Sequence, residues 1–431
     1  MAYANRCNAY LCLGRHQECI ADIDMFFGMS NYEPTENAKA KLLKDRSTCK
    51  KLLGDLTGAL KDAEETVALI RNEIHLNDLG NIQQEVGLLD EAISSFTEAI
   101  ALAPQDAFML TNRANAKTFK GDLEGALNDY TNAIENGDLT AYYNRGNLRL
   151  NRIEDYDGAI ADFTSAINCD ACTDKHYYYY NRALAKYRKE DLAEALEDCE
   201  LAHGVDPDYI RPIRLKAQTY LQLGQLPQAK KWYLEIFERN AADLHDCQEM
   251  GTIENKLDNR EEGVRYLRQS IDMNLGNKQR PCQEEAFAKS SYYLMHSYYR
   301  LGECQEAILV AHECEKYCEL NAEFLRVLAC VYDEMGDSSK ALETINRAIA
   351  LDADSATIWY DRGVIRRDSG DLDGAIEDFG RAIDLDPLFT SAYHNIGSIQ
   401  WFDFGDKERG CSSWQKAADL GDSDSQELLG E

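Results

Sequence analysis

The chain repeats itself at a period of about 34 residues, and this repeat constrains its fold more than any other feature. The strings GDLEGALNDYTNAI (121–134), EDYDGAIADFTSAI (154–167) and GDLDGAIEDFGRAI (370–383) are copies of one pattern. Each copy follows a segment of helical periodicity with a small residue in mid-course, such as Gly146 or Gly363. A unit this short cannot bury its apolar face alone, so the pattern predicts stacked two-helix units.

Residues within a unit can be numbered as places, starting at its first helix. Small residues recur at places 8 and 20, a glycine-type turn at place 15, a bulky or aromatic residue at place 24, and usually alanine at place 27. Proline stands at place 32 in several units, at Pro104, Pro207 and Pro387. Places 8 and 20 are where the two helices of a hairpin come closest, so small residues there permit close packing.

This arrangement resembles the tetratricopeptide repeat, a two-helix hairpin that stacks into a superhelix. The resemblance covers nearly the whole chain, and its style is similar to that of multi-repeat arrays common in bacterial proteins. It implies an all-α fold, namely a right-handed α-solenoid (superhelix) of about twelve tetratricopeptide helix–turn–helix repeats.

Longer connections suggest how the array is divided. We expect a block of about eight repeats in 1–272, a longer connection at 273–285, and a block of about four repeats in 286–431 that ends in a polar closing helix. Met1 already lies inside the first helix of a unit. The open N-terminal face is therefore expected to meet an upstream domain or a second copy of the chain, which leaves a homo-oligomer open.

Composition narrows the class of protein and of partner. The 431 residues are 44% hydrophobic, without a long apolar run or an export signal, so a cytoplasmic protein with reduced thiols is expected. The formal net charge of −30 disfavours nucleic acid and anionic membranes, because both repel an acidic surface. The predicted partner is a protein or peptide, neutral or basic.

Arginine at place 7 and aspartate at place 23 occur together. Units with other residues at place 7 lack the aspartate, as in Leu79 with Ser95 and Lys216 with Trp232. Since the two places face each other in a hairpin, we predict structural Arg–Asp bridges that fix hairpin register. Coincidence through repeat duplication is the alternative. The predicted pairs are Arg6–Asp22, Arg46–Asp62, Arg113–Asp129, Arg145–Asp162, Arg182–Asp198 and Arg362–Asp378.

Asparagine and tyrosine recur at places 2, 5, 6, 9, 12 and 13, which share one face of the first helix. An asparagine amide matches both groups of a peptide unit, and the face resembles the asparagine ladder of the O-linked N-acetylglucosamine transferase superhelix. That resemblance implies a groove for an extended peptide. Solvated side chains, or bonds between neighbouring helices, are the alternative. The predicted groove residues are Asn77, Asn81, Asn112, Asn115, Tyr143, Asn144, Asn147, Tyr177, Tyr180, Asn181 and Tyr187, with Phe108 and Phe119 interleaved.

One end of this face is similar to the carboxylate clamp of chaperone-binding tetratricopeptide domains. Asn147, Asn181 and Arg211 match the clamp, whereas Tyr143 and Leu215 depart from it, and a chaperone tail is therefore in doubt. With Arg214 as a further cation, the resemblance implies a pocket for some peptide carboxylate.

No catalytic constellation emerges. Cys169, Cys172 and His176 have metal-like spacing, but they stand in a turn without a second pair, so we predict no metal and no cofactor. Nucleotide-binding and nucleophile motifs are missing from the sequence. The chain is thus predicted to be a non-catalytic adaptor or scaffold. The alternatives are a scaffold that assembles through its ends or convex face, and a regulatory part of a larger enzyme or sensor.

Overall fold

The computed structural model describes residues 2–29, 34–169, 174–276 and 283–430. Within these ranges the chain is helical, without a β-strand. It divides into two compact units, Met1–Leu223 and Gly224–Glu431. In each unit successive helices pack as antiparallel pairs against their neighbours in sequence, which is the architecture of an α-solenoid.

The first unit contains thirteen helices within its described residues. They are α1 (Ala2–Cys12), α2 (His16–Phe27), α3 (Glu36–Leu52), α4 (Leu56–Leu69), α5 (Glu73–Val86), α6 (Leu89–Leu102), α7 (Ala107–Lys120), α8 (Leu123–Glu135), α9 (Thr140–Leu148), α10 (Tyr156–Ile167), α11 (Lys175–Arg188), α12 (Leu192–Val205) and α13 (Ile210–Gln222).

The second unit continues the same pattern and ends in a short helix. Its described helices are α14 (Leu226–Glu238), α15 (Leu244–Lys256), α16 (Arg260–Leu275), α17 (Glu284–Arg300), α18 (Cys304–Glu315), α19 (Ala322–Glu334), α20 (Ser338–Leu351), α21 (Ala356–Asp368), α22 (Leu372–Leu385), α23 (Thr390–Ser398), α24 (Lys407–Asp419) and α25 (Ser423–Gly430).

The division between units falls between α13 and α14, in the repeat that carries Lys216 and Trp232 at places 7 and 23. The connection at 273–285, where the sequence suggests a break, lies within the second unit, and its residues 277–282 are outside the described ranges. Asn274 spans this connection, because its Nδ2 donates to the Gln283 carbonyl (2.9 Å) and its Oδ1 accepts from the Gln283 amide (3.0 Å).

The GDLEG string at 121–125 shows how the sequence encodes the turn between paired helices. Gly121 ends α7 with a φ of 92°, a left-handed conformation that favours glycine. Asp122 then caps α8, since its side chain accepts from the Gly125 amide at 3.0 Å. A Cβ on Gly125 would lie 2.2 Å from Asp122 Oδ2, so the second glycine makes room for the cap.

The small residue at place 8 receives the aromatic ring at place 24. A Cβ on Gly80 would lie 2.7 Å from Phe96 Cε1, and one on Gly363 would lie 2.7 Å from Phe379 Cε1. Both rings are fully buried. The lack of a side chain at place 8 therefore lets the ring at place 24 pack directly against the backbone of the first helix.

Two first helices end in a π-helical turn, at 149–153 after α9 and at 399–403 after α23. Both repeats are one residue longer than the others at this point: Arg145 and Asp162 are 17 residues apart, against 16 for Arg113 and Asp129. The wider π turn holds the extra residue. Contacts beyond the turn consequently keep the same geometry as in the shorter repeats.

Candidate functional site

Every arginine at place 7 lies against the aspartate at place 23 of its own hairpin. In all six pairs the Nε and Nη2 atoms donate to the two carboxylate oxygens, with Nη2–Oδ1 distances of 2.6–2.7 Å. The six carboxylates are at most 5% exposed. Each bridge is therefore a bidentate pair, and all but the half-exposed Arg6 pair are largely shielded from water, the form in which geometry matters most.

A second cation, which the sequence analysis did not single out, meets five of these aspartates from place 11. Lys117 Nζ lies 2.8 Å from Asp129 Oδ2, and Arg149 Nη1 donates to Asp162 Oδ2 at 2.8 Å. Each of the five carboxylates thus faces two cations. The other three contacts join Lys50 to Asp62, Lys186 to Asp198 and Arg366 to Asp378.

Five of the six arginines also bond to the preceding repeat. Arg145 Nη1 donates to Thr131 Oγ1 at 2.8 Å, and Arg362 Nη1 donates to Asn346 Oδ1 at 2.8 Å. The acceptor is always at place 25 of the previous second helix. One guanidinium therefore ties its own hairpin together and links two neighbouring hairpins. The remaining links run from Arg46 to Asp24, Arg113 to Thr97 and Arg182 to Thr164.

The predicted groove residues of α7 form one stripe. Phe108 and Phe119 stand eleven residues apart and are thus only about 20° apart around the helix, with Asn112 and Asn115 between them. The rings are 68% and 67% exposed, although large apolar side chains are ordinarily buried. Two aromatic rings about 16 Å apart are thus presented to solvent on the face where the asparagines lie.

Part of the asparagine set bonds within the solenoid, as the alternative interpretation anticipates. Asn112 Nδ2 donates to Asn77 Oδ1 of the preceding first helix at 2.9 Å, and Asn181 Nδ2 approaches Tyr143 Oη at 3.3 Å. Asn181 also donates to the Tyr177 carbonyl, at 2.9 Å. An amide has two N–H donors and one acceptor oxygen, so these asparagines have only some of their hydrogen-bonding groups left for a ligand.

The other four predicted asparagines differ in their hydrogen bonds: Asn115 makes one and the remaining three make none within the described residues. Asn115 Oδ1 accepts from Tyr130 Oη at 2.5 Å, within its own hairpin. Asn81, Asn144 and Asn147 are half-buried, and across the described ranges their side-chain amides make no hydrogen bond. The amides with full capacity are therefore on α5 and α9, the first helices on either side of α7.

The second unit uses the same places for contacts between repeats. Arg326 Nη1 donates to Asp361 at 2.5 Å, and Asn395 Nδ2 donates to Tyr360 Oη at 2.9 Å. Places 5 and 6 of adjacent first helices therefore meet in both units, whatever residue types fill them.

The end of the face formed by α11 and α13 carries an aromatic cluster next to cations. Tyr209, which the sequence analysis missed, packs edge-on against Tyr177 and Tyr180 with ring centroids 5.1 and 5.6 Å away. Burial raises the pKa of Tyr209 to about 12, although the positive charge of the nearby Arg211 acts to lower this pKa. Burial likewise raises the pKa of Tyr180, opposed by Arg211 and Arg214. The phenols thus stay protonated beside the predicted carboxylate pocket, which itself stays a prediction.

The predicted metal-type candidate Cys169 is buried, as are Cys199 and Cys314 within their helices. Burial raises the pKa of the Cys199 and Cys314 thiols to about 12, so these groups stay protonated at neutral pH. His176 packs on Tyr177 with ring centroids 4.0 Å apart, and Cys172 lies outside the described residues. In the described part of the chain, no cluster of three histidine, cysteine or acidic side chains is arranged to hold a metal ion.

Family models for the tetratricopeptide repeat match residues 76–106, 111–176 and 331–396. These matches coincide with the paired helices, the close place 8–place 24 contacts and the capped turns described above. The chain is a tetratricopeptide repeat protein. None of its described helices has the length and apolar character needed to cross a membrane.

Similar proteins include the heat shock protein STI1 of Saccharomyces cerevisiae, 27% identical over 38% of this chain and 27% of its own length. The Hsp70–Hsp90 organizing protein 3 of Arabidopsis thaliana is 24% identical over 45% of this chain and 35% of its own length. A tetratricopeptide repeat protein from Parabacteroides merdae superimposes with a TM-score of 0.45 at 20% identity, over 58% of this chain and 98% of that one. The chain thus spans about a third or less of the length of these curated relatives.

Proposed function

We propose that the protein is a non-catalytic adaptor that binds an extended segment of a partner protein on the face of α5, α7, α9 and α11. The observation that carries this proposal is the solvent-exposed pair Phe108 and Phe119 on α7, with the unbonded amides of Asn144 and Asn147 on the neighbouring first helix α9. Exposed aromatic rings next to open amides suit a ligand that has both apolar side chains and a peptide backbone.

The expected affinity is modest. Each hydrogen bond from an asparagine contributes about 1 kcal/mol net, because it replaces a bond to water. Burial of the two phenylalanine rings supplies the larger share. The sum corresponds to a dissociation constant in the micromolar range, on the order of −8 kcal/mol. The net charge of −30 favours a neutral or basic partner overall, with a carboxylate of the ligand received near Arg211 and Arg214.

The relatives are consistent with this role. By its name, the Arabidopsis protein organizes Hsp70 and Hsp90, which is an adaptor's task. The present chain covers only part of such proteins, so the proposal extends to protein binding and leaves the identity of the partner open. A cytoplasmic location belongs to the same proposal.

The test is affinity capture with the whole chain, followed by mass spectrometry. Asn144→Ala/Asn147→Ala is expected to reduce the captured partners at least about fivefold without lowering stability, because both amides lack bonds within the described chain. The matched control is Asn132→Ala/Asn136→Ala on and just after the second helix α8, which is expected to capture as the wild type does. Unchanged capture by the first variant contradicts the proposal.

A further inference from the structure

A cavity of about 270 Å³ lies between α3, α4 and α5 in the first unit. Its floor is formed by the buried residues Ser47, Ala63, Thr66 and Ile82. Its mouth includes the 57% exposed Leu52. The cavity therefore penetrates from the surface into the interior of a hairpin.

The cavity exists because this repeat lacks its core aromatic residue. Ala63 occupies place 24, where the following repeats have Phe96, Tyr130 and Phe163. In the next repeat the Phe96 ring fills the hairpin against Gly80. Here place 8 is Ser47, and neither Ser47 nor Ala63 is large enough to fill the same space. The cavity has the position of a missing aromatic ring.

The wall of the cavity presents hydrogen-bond acceptors. Ser47 Oγ donates its proton to the Ala59 carbonyl (2.7 Å), and Thr66 Oγ1 donates to the Asp62 carbonyl (2.7 Å). Both oxygens keep lone pairs. His75 Nδ1 contacts the Ile70 carbonyl at 2.9 Å, and a carbonyl can only accept, so Nδ1 carries a proton and Nε2 of the neutral ring is an acceptor.

The mouth lies on the face to which we assign ligand binding. Asn81, one of the uncommitted amides, lines it. So does Lys44, whose Nζ is occupied by Asp78 at 2.8 Å, while Lys51 pairs with Glu85 at 2.6 Å. The cations at the mouth are thus neutralised, and the cavity favours an uncharged group.

We infer that this cavity is a specificity pocket for a tyrosine side chain of the bound partner, an inference that rests on the proposed function. Leu52, Ala63 and Ile82 cover the ring, and the acceptor oxygens of Ser47 and Thr66 receive its hydroxyl proton. Space is sufficient, since an apolar cavity of about 150 Å³ holds benzene. A phenylalanine would leave these oxygens without a donor, so tyrosine is preferred.

The test compares p-cresol and toluene, the side-chain analogues of tyrosine and phenylalanine, by NMR titration of the whole chain. We expect p-cresol to bind at least fivefold more tightly. Ser47→Gly/Ala63→Phe copies the Gly80–Phe96 pair, and it should weaken p-cresol binding at least tenfold. Thr66→Val, which removes one acceptor without changing size, should weaken p-cresol severalfold and spare toluene. Equal binding of the two probes, or unaltered p-cresol binding in both variants, overturns the pocket.

Failure of the pocket can be told apart from failure of the binding face. Asn144→Ala/Asn147→Ala leaves the cavity intact, so it should bind p-cresol as the wild type does. If this variant loses partners while the wild type does not distinguish p-cresol from toluene, the pocket alone is wrong. If p-cresol binds more tightly than toluene but Asn144→Ala/Asn147→Ala captures partners as the wild type does, the proposed binding face is wrong. The cavity then remains a tyrosine-type site.

Discussion

At the scale of single residues, the buried aspartates organise the charges around them. Asp129 is fully buried and faces both Arg113 and Lys117, whose side chains are 17% and 16% exposed. Loss of the carboxylate would leave two cations in a poorly hydrated site. Loss of the lysine leaves the bidentate arginine pair in place. The three residues should therefore contribute unequally to stability.

We predict that Asp129→Ala lowers the free energy of unfolding by about 3–5 kcal/mol, and Arg113→Ala by less. Lys117→Ala should lower it by only about 1 kcal/mol, because Arg113 still neutralises the carboxylate. Urea denaturation followed by circular dichroism measures all three. Equal losses for the three variants would show that the pairs do not act as described.

At the scale of the helical element, an inserted residue is absorbed locally. The π turn at 149–153 keeps Arg145 and Arg149 on Asp162 although the repeat is one residue longer. Asn151 stands in this turn and makes only peripheral hydrogen bonds, to the Asn147 carbonyl and from Arg188. Its removal would restore the spacing of the other repeats.

Deletion of Asn151 is expected to be tolerated, with a change in unfolding free energy within about 1 kcal/mol, because it converts a π turn into an α-helical one. The matched control is deletion of Thr118 in α7, which has no extra residue to lose. That deletion shifts the Arg113–Asp129 register and should cost at least about 3 kcal/mol. Similar losses in the two deletion variants would contradict this account of the π turn.

The hairpins could be predicted from the sequence because their determinants recur: a small residue at place 8, a capped turn and paired charges at places 7 and 23. The cations at place 11 and the acceptors at place 25 were missed since lysine, threonine and asparagine are ordinary on helix surfaces. The cavity was missed for another reason: Ala63 stands at place 24 where other repeats have an aromatic residue, and a missing ring forms no sequence motif. Whether Asn112 or Asn144 is free depends on the stacking of neighbouring helices, which no single repeat encodes.

At the scale of the whole molecule, repulsion among the excess negative charges destabilises the folded state. The net charge of −30 resides mostly on exposed side chains, whereas the Arg–Asp bridges are buried. Dissolved salt screens exposed charges far more than buried ones. The repulsion should therefore fade with added salt while the bridges persist.

We predict that the urea midpoint of unfolding rises between about 0.02 M and 0.3 M sodium chloride, since the Debye length falls below about 10 Å in this range. Equilibrium denaturation at the two salt concentrations measures the effect, with potassium chloride as a check on ion identity. A midpoint that falls with salt would mean that exposed ion pairs, rather than repulsion, dominate.

The arginine at place 7 also bears on how such an array lengthens. Five of the six arginines donate to the repeat before their own, and in the repeats of Arg113 and Arg145 a threonine at place 25 also accepts from the arginine of the repeat after. A tandem duplication of such a unit therefore already contains the place 7 donor and the place 25 acceptor that the new contact between repeats needs. Duplication of repeats then needs no compensating substitutions where two repeats meet. The number of repeats can change while the hydrogen bonds between neighbouring repeats stay the same.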